Sequence, residues 1–344
     1  MINRDRYITG KAEIYGERLE MSIRIMGTGS CLPENVVTND FLSTIMDTSD
    51  EWISSRTGIR ERRLVKEETT ASMSAEAAKR ALTDAGIQAE DIDLIIVGTL
   101  SGDYVTPSTA CEVQAAIGAV NAVAFDINAA CSGFMYGVSM AYAYMKCGMY
   151  KNALVIGAET LSKVMDWNDR STCVLFGDGA GAAVLALSED EKSLGIIELE
   201  QGADGSKGMV LAGRDRMNNN PLVTNPKEPG YVQMDGQEVY KFAVTTVPES
   251  INRVLDKAQL KVEDIKYFLL HQANIRIIQS VSKRLKVPME SFPISLDHCG
   301  NVSAASVPIL LDEVNKKGML QKGDKIVMSG FGGGLTWGTC VLEW

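Results

Sequence analysis

Apolar residues recur along this chain with two spacings. Over residues 72–85 they follow a helical period, which predicts an amphipathic helix started by Ser72 or Ser74 and stopped at Gly86. Residues 94–97 are apolar throughout, as a parallel strand covered on both faces should be. A second helix is predicted from near Pro107, since proline suits a first helical position, and a third from the residues after Cys131 to about Cys147, ended by Gly148. Strands are predicted near 123–127, 153–158, 172–176 and 181–187. Residues 188–235 are more polar and rich in Gly, Asn and Pro, and read as a join with surface loops. The last strands are predicted at 325–329 and 335–342, separated by Phe331-Gly-Gly-Gly334.

The pattern then repeats itself. Residues 80–97 match 253–270, with Arg, Leu, Ala, Glu, Asp and Ile at equivalent places and Asp91 aligned on Asp264, a separation of 173 residues. Each copy reads as an amphipathic helix, a Glu-Asp-Ile turn and a buried strand, at 94–97 and 267–270. The same separation sets Asn128-Ala-Ala-Cys-Ser-Gly against Asn301-Val-Ser-Ala-Ala-Ser, and each leads into an apolar helical segment, 134–145 and 307–314. Two facing modules of this kind bring their turns together at a pseudo-two-fold axis. The expected organisation is a polar extension at 1–20, an N-terminal half at 21–187 whose first strand-like run opens at Met21, and a C-terminal half at 188–344.

Composition narrows the class. The 344 residues are 45% hydrophobic, with 31 glycines and 9 prolines, which fits a large-cored α/β enzyme. A net charge of −10 argues against a general nucleic-acid or anionic-membrane binder. The seven cysteines are odd in number and include no Cys-x-x-Cys pair, so no metal site and no secreted disulfide framework are expected, and a reduced, cytoplasmic setting is. No run has the length and apolarity of a membrane span, and residues 1–20 lack the apolar core of a signal peptide.

Cys131 sits in a small-residue turn between a predicted strand and a predicted helix, where free N–H groups and the helix dipole favour thiolate over thiol. His271 ends an apolar strand, the place where open α/β sheets bind ligands. Asn301 supplies a neutral donor suited to a carbonyl oxygen that becomes negative, or else a helix cap. Phe331-Gly-Gly-Gly334 offers backbone N–H groups for an oxyanion hole. His298, beside Cys299, is assigned to loop structure, and Gly177-Asp-Gly-Ala-Gly181, lacking a strand–turn–helix context, to a β-turn packing motif. No Walker A motif supports nucleotide hydrolysis.

At these residues the chain resembles the thiolase superfamily, and within it the β-ketoacyl-acyl-carrier-protein synthase III family. The resemblance runs from about residue 22 to 344 through Asp50-Glu-Trp-Ile-Ser-Ser-Arg-Thr-Gly-Ile-Arg60, Asn128 to Phe134, Phe176 to Gly181, His271-Gln-Ala-Asn-Ile-Arg276, Gly300 to Ala305 and Phe331 to Gly338. It implies a thiolase-like α/β fold of two duplicated βα halves in αβαβα layers, and a Cys-His-Asn triad at Cys131, His271 and Asn301. The elongating condensing enzymes carry a second histidine instead of Asn301, and biosynthetic thiolases a second cysteine where Phe331 stands.

The implied reaction is a decarboxylative Claisen condensation of an acyl-CoA primer with malonyl-acyl-carrier protein, with N–H groups of Cys131 and Gly333 as oxyanion hole and no cofactor. The resemblance further implies CoA contacts at Thr48, Trp52, Arg56, Arg170 and Asn274, with the adenine between Trp52 and Arg170. It implies an acyl pocket limited by Thr106 across a homodimer, and docking of an acidic carrier protein at Lys241, Arg276, Lys283 and Arg284. The competing expectation is another acyltransferase or condensing enzyme of polyketide or secondary metabolism. A 3-hydroxy-3-methylglutaryl-CoA synthase-like reaction would need a carboxylate base near the cysteine, for which Asp103 and Glu112 are the candidates.

Overall fold

The computed structural model describes residues 22–188, 195–213, 218, 220–224 and 230–344; the expected extension, Met21 and part of the expected join lie outside them. The chain runs through β1 (Ser22–Cys31), β2 (Val36–Thr38), α1 (Asn39–Ser43), α2 (Asp50–Thr57), β3 (Glu61–Arg63), α3 (Thr70–Ala85) and β4 (Leu94–Gly98). It continues through α4 (Thr109–Ile117), β5 (Val123–Ile127), α5 (Gly133–Lys146), β6 (Asn152–Thr160) and β7 (Asp178–Ser188). The second half comprises β8 (Ile196–Ala203), β9 (Leu211–Ala212), β10 (Gln233–Met234), α6 (Gly236–Lys257), β11 (Tyr267–Leu270) and α7 (Ile275–Leu285). It closes with α8 (Leu296–Cys299), α9 (Ser306–Lys316), β12 (Lys325–Gly332) and β13 (Thr336–Glu343).

Apolar faces sort these elements into five layers. One sheet has the order β1-β7-β6-β4-β5, the other β11-β12-β13-β8. Ala77, Ala81 and Leu82 of α3 and Val113 of α4 pack on the outer face of the first sheet. Phe134 and Val138 of α5 and Leu310 and Val314 of α9 fill the space between the sheets. Val247 and Ile251 of α6 and Ile278 and Val281 of α7 cover the outer face of the second. The result is the expected αβαβα stack, with the central helices buried on both sides.

The 173-residue separation holds for β1 and β8, β4 and β11, α5 and α9, and β6 and β12. Pairing repeats with it: β4–β6 and β11–β12 are parallel, β6–β7 and β12–β13 antiparallel. Even the stop after the first helix recurs, with Gly86 at φ 65° and its counterpart Gln259 at φ 56°. The repeat breaks at β5, whose counterpart is the short helix α8, so the second sheet has four strands instead of five.

Four local expectations are corrected. Helix α3 is capped by Thr69, not by Ser72 or Ser74; Ser72 completes a capping box by accepting from the Thr69 N–H. Helix α4 starts after Pro107, capped by Ser108. Residues 172–175 form turns rather than a strand, because the Asp169 carboxylate captures the Ser171 N–H and the Thr172 hydroxyl, and Phe176 makes only an isolated bridge to Asn301; Cys173 and Val174 are buried all the same. Gly177 to Gly181 leads into and forms the start of β7 rather than a turn. The absent side chains let the backbone of α9 approach: a Cβ on Gly181 would stand 2.6 Å from the Ile309 nitrogen. Among the described residues no helix is long and apolar enough to cross a membrane.

Candidate active site

The nucleophile turn follows from its sequence. After β5 the Asn128 Oδ1 accepts the Ala130 N–H at 3.1 Å, and Ala130 takes φ 44°. Cys131 then sits in a 3-10 turn, Ala130–Ser132, that runs directly into α5. The second half builds the same device 173 residues on. Asn301 Oδ1 accepts the Ser303 N–H at 2.9 Å, Ser303 takes φ 48°, and the 3-10 turn Ser303–Ala305 runs into α9. The two turns pack together as the pseudo-symmetry predicts, and a Cβ on Gly133 would lie 3.2 Å from the Ala304 Cβ.

His271 extends the β11 ladder by one bond, its N–H donating to the Ser329 oxygen at 2.8 Å. Its ring stands edge-on to Phe331, 5.1 Å between centroids, and its Nδ1 lies 2.5 Å from the Ser306 hydroxyl. Burial pushes its pKa down to about 3, so the imidazole is neutral at ordinary pH. The Asn301 Oδ1 is engaged by Ser303, and the backbone of Asn301 is pinned by Leu175 O and Gly177 N. The Asn301 amide NH₂ is therefore the group left for a ligand.

Cys131, His271, Asn301, Ser303 and Gly333 line one cleft. Burial pushes the Cys131 thiol up to about 11, against the favourable influence of the nearby Ser303 and of the Cys131 and Gly333 backbone, and with a further push from Glu159. This corrects the expectation of a thiolate: at 7% exposure, loss of solvation outweighs the helix N-terminus. Gly332 makes room for the sulfur, since a Cβ there would stand 2.8 Å from the Cys131 Sγ.

At the surface two guanidinium groups approach the Trp52 ring, Arg56 at 4.8 Å and Arg170 at 5.3 Å from its centre. Arg170 also bonds the Asp47 backbone and carboxylate. The Thr48 hydroxyl is buried without a protein partner, and Asn274 caps α7 by accepting the Arg276 N–H. Arg276, Lys283 and Arg284 are exposed on α7; the Arg276 guanidinium donates to Ser55 O. Lys241 is exposed on α6 and paired with Glu238 at 2.6 Å. Thr106 is exposed beside Tyr104 and Val105, and does not line this chain's own cleft. Neither Asp103, tied to Lys163 and the start of α3, nor Glu112 on α4 lines the cleft either.

Four site residues escape a reading of the sequence. Ser303 and Ser306 are second-half counterparts of Ala130 and Gly133, so the offset locates them but not their hydroxyls. Gly332 belongs to the glycine run without standing out in it. Glu159 is a lone acid in the apolar strand β6, a detectable exception to its pattern. It is fully buried, accepts from Ser101 at 2.5 Å and from the Leu100 N–H at 3.2 Å, and burial raises it to about 7.

Fold and cleft together define a condensing enzyme of the thiolase-like class. The family model "3-Oxoacyl-[acyl-carrier-protein (ACP)] synthase III C terminal" matches residues 255–344, and "3-Oxoacyl-[acyl-carrier-protein (ACP)] synthase III" matches residues 125–205. The β-ketoacyl-[acyl-carrier-protein] synthase III of Clostridium botulinum strain 657 is 51% identical over 328 residues, 94% of this chain and 99% of that protein. Among solved structures, the 3-oxoacyl-[acyl-carrier-protein] synthase III of Aquifex aeolicus VF5 superposes with a TM-score of 0.87 at 47% identity, covering 94% of this chain and 100% of that one. The priming β-ketosynthase of the R1128 polyketide pathway gives 0.86 at 36% identity, covering 94% and 96%. The chain belongs to the β-ketoacyl-[acyl-carrier-protein] synthase III family, whose condensing reaction initiates fatty-acid synthesis.

Proposed function

We propose that this chain joins an acyl-CoA primer to malonyl-acyl-carrier protein, giving 3-oxoacyl-acyl-carrier protein, CoA and CO₂, with Cys131, His271 and Asn301 as catalytic residues. The convergence of these three side chains on one cleft carries the reading. Neutral His271 takes the thiol proton as the sulfur attacks the primer thioester, which answers the high resting pKa of Cys131. The Cys131 and Gly333 N–H groups hold the tetrahedral oxyanion, and CoA leaves with the proton. Malonyl-acyl-carrier protein then loses CO₂ while the His271 Nε2–H and the Asn301 NH₂ hold its thioester oxygen as an enolate. The enolate carbon attacks the acyl-enzyme carbonyl, the C–S bond to Cys131 breaks, and the released thiolate takes a proton from solvent to restore the resting thiol. No cofactor is needed, because the decarboxylation drives the carbon–carbon bond.

The adenine of CoA inserts between Trp52 and Arg170, which rest on one another, and Thr48, Arg56 and Asn274 bind the rest of the nucleotide and its arm. Arg276, Lys283, Arg284 and Lys241 dock the acidic carrier protein, a local basic face on a chain of net charge −10. The enzyme works as a cytoplasmic homodimer in which the exposed Tyr104, Val105 and Thr106 segment of each copy closes the acyl pocket of the other. Residues 21–187 and 188–344 are its two halves, in one compact unit.

The deciding experiment is intact-protein mass spectrometry with a panel of acyl-CoAs, followed by malonyl-carrier protein and assay of CO₂. The native chain gains one acyl mass, and Cys131→Ala gains none. An acyl mass on Cys131→Ala, or loading without any malonyl-dependent CO₂, overturns the proposal.

A further inference from the structure

The internal repeat breaks where β5 has α8 as its counterpart, and this break brings His298 and Cys299 against Glu313 of α9. His298 Nε2 lies 2.8 Å and Cys299 Sγ 3.9 Å from Glu313 Oε1, and one donor atom from each of the three residues falls within 4.8 Å of the others. The Asp297 carboxylate holds His298 Nδ1 at 2.9 Å, and Lys317 Nζ sits 3.1 Å from the other Glu313 oxygen, Oε2. None of these residues lines the catalytic cleft.

We propose that His298, Cys299 and Glu313 form a site for a divalent transition-metal ion of the zinc type. Thiolate, imidazole and carboxylate are the donors zinc takes, and three protein ligands leave a fourth position for water. Bonds of about 2.0–2.3 Å set neighbouring tetrahedral ligands roughly 3.3–3.8 Å apart. Two of the donor pairs stand at 2.8 and 3.9 Å and all three donors lie within 4.8 Å of one another, so closing on an ion takes side-chain shifts on the order of 1 Å. Asp297 supplies what a zinc-bound histidine has on its other nitrogen, a carboxylate that fixes the ring and leaves Nε2 for the metal. Lys317 occupies Oε2 and leaves Oε1 facing the same point. His298 is about one-third exposed, with a side-chain value of 34%, and gives the ion its way in. On binding, the Cys299 S–H proton and any proton on His298 Nε2 leave to solvent. Adjacent His and Cys on one helix with Glu on another is not a Cys-x-x-Cys spacing, which is why a motif reading expects no metal. The ion ties the segment leading to Asn301 to α9, whose first residue, Ser306, holds His271.

The test uses the full chain stripped with chelator and titrated with Zn²⁺ by calorimetry and with Co²⁺ by absorption. One Zn²⁺ per chain is expected, with a thiolate-to-cobalt charge-transfer band that Cys131→Ala retains and Cys299→Ser loses. Glu313→Gln should weaken Zn²⁺ at least about tenfold. Zn²⁺ should also raise the melting temperature of the native chain and of Cys131→Ala. Absence of saturable binding, absence of the band in the native chain, or its loss with Cys131→Ala overturns the proposal. If Cys299→Ser does not fold, Glu313→Gln and the native-versus-Cys131→Ala comparison decide, and undiminished Zn²⁺ affinity in Glu313→Gln overturns it. The metal readouts need no turnover, so they stand apart from the condensing reaction.

Discussion

Ser306 Oγ stands 2.5 Å from His271 Nδ1 and 2.8 Å from the Ser303 carbonyl oxygen, and a hydroxyl has one proton to give. If the proton goes to Nδ1, the neutral ring carries its own on Nε2 and donates into the cleft. If it goes to Ser303 O, Nδ1 keeps its hydrogen and Nε2 becomes an acceptor. In the proposed mechanism primer loading uses the acceptor form and decarboxylation the donor form, so one serine would serve both. Ser306→Ala removes the donor to Nδ1 and leaves that nitrogen unpaired when Nε2 is protonated, a cost of about 1–3 kcal/mol. Malonyl-dependent CO₂ release should fall roughly 10- to 100-fold, with loading changed much less. Equal loss of both half-reactions, measured as acyl-enzyme mass and as CO₂, would reduce Ser306 to packing.

Asn301 has two jobs that substitution separates. Its oxygen holds the Ser303 N–H and its NH₂ faces the ligand. Asn301→Asp keeps an acceptor for Ser303 and loses the amide donor, so CO₂ release should drop ~10²–10³-fold, with some loss of stability from the buried carboxyl group. Asn301→Ala loses both, and its unfolding free energy should fall by a further ~1–3 kcal/mol. The counterpart Asn128→Ala should cost stability through the Ala130 N–H without the same loss of decarboxylation. Paired denaturation and CO₂ assays distinguish all three.

Gly332 sets the space for the nucleophile. A methyl group at this position meets the Cys131 Cβ at 2.7 Å and Sγ at 2.8 Å, closer than real contacts allow. Gly332→Ala should abolish acyl-enzyme formation while leaving CoA retention at the Trp52 mouth, because the mouth belongs to other elements. Normal loading of Gly332→Ala by mass spectrometry would show that the turn yields.

Much of this arrangement is legible in the chain because the repeat carries it. A separation of 173 residues sets Asn301 opposite Asn128 before any coordinates are known, and the turns do meet. Apolar runs locate the strands of both sheets except β8, which lies in the stretch expected as a polar join with surface loops. What escapes depends on particular side-chain contacts, near or distant in sequence, that composition does not carry. Residues 172–176 have a strand's composition but answer to Asp169, three residues upstream. The protonation of Cys131 depends on burial assembled from both halves, so a local argument from the helix N-terminus gives the wrong sign. The change from strand to helix at α8 has no local signature.

Two buried groups should make stability depend on pH in opposite directions. Glu159 is raised to about 7 from 4.5, so the folded state holds its proton more tightly than the unfolded chain does. Its share of stability is intact below pH 4.5 and is lost as pH rises toward 7. His271 is lowered to about 3 from 6.5, so the unfolded chain takes up a proton that the folded state resists. Its share is intact above pH 6.5 and is lost as pH falls toward 3. Between pH 4.5 and 6.5 the two slopes oppose each other, and the native chain should show a flattened melting profile there. Glu159→Gln exposes the histidine slope: relative to the native chain, its melting temperature should climb as pH goes from 4.5 to 7. His271→Gln exposes the carboxylate slope, and should gain on the native chain as pH drops from 6.5. Melting curves of the three proteins across this range test both signs at once; parallel profiles would mean that neither group titrates with the fold.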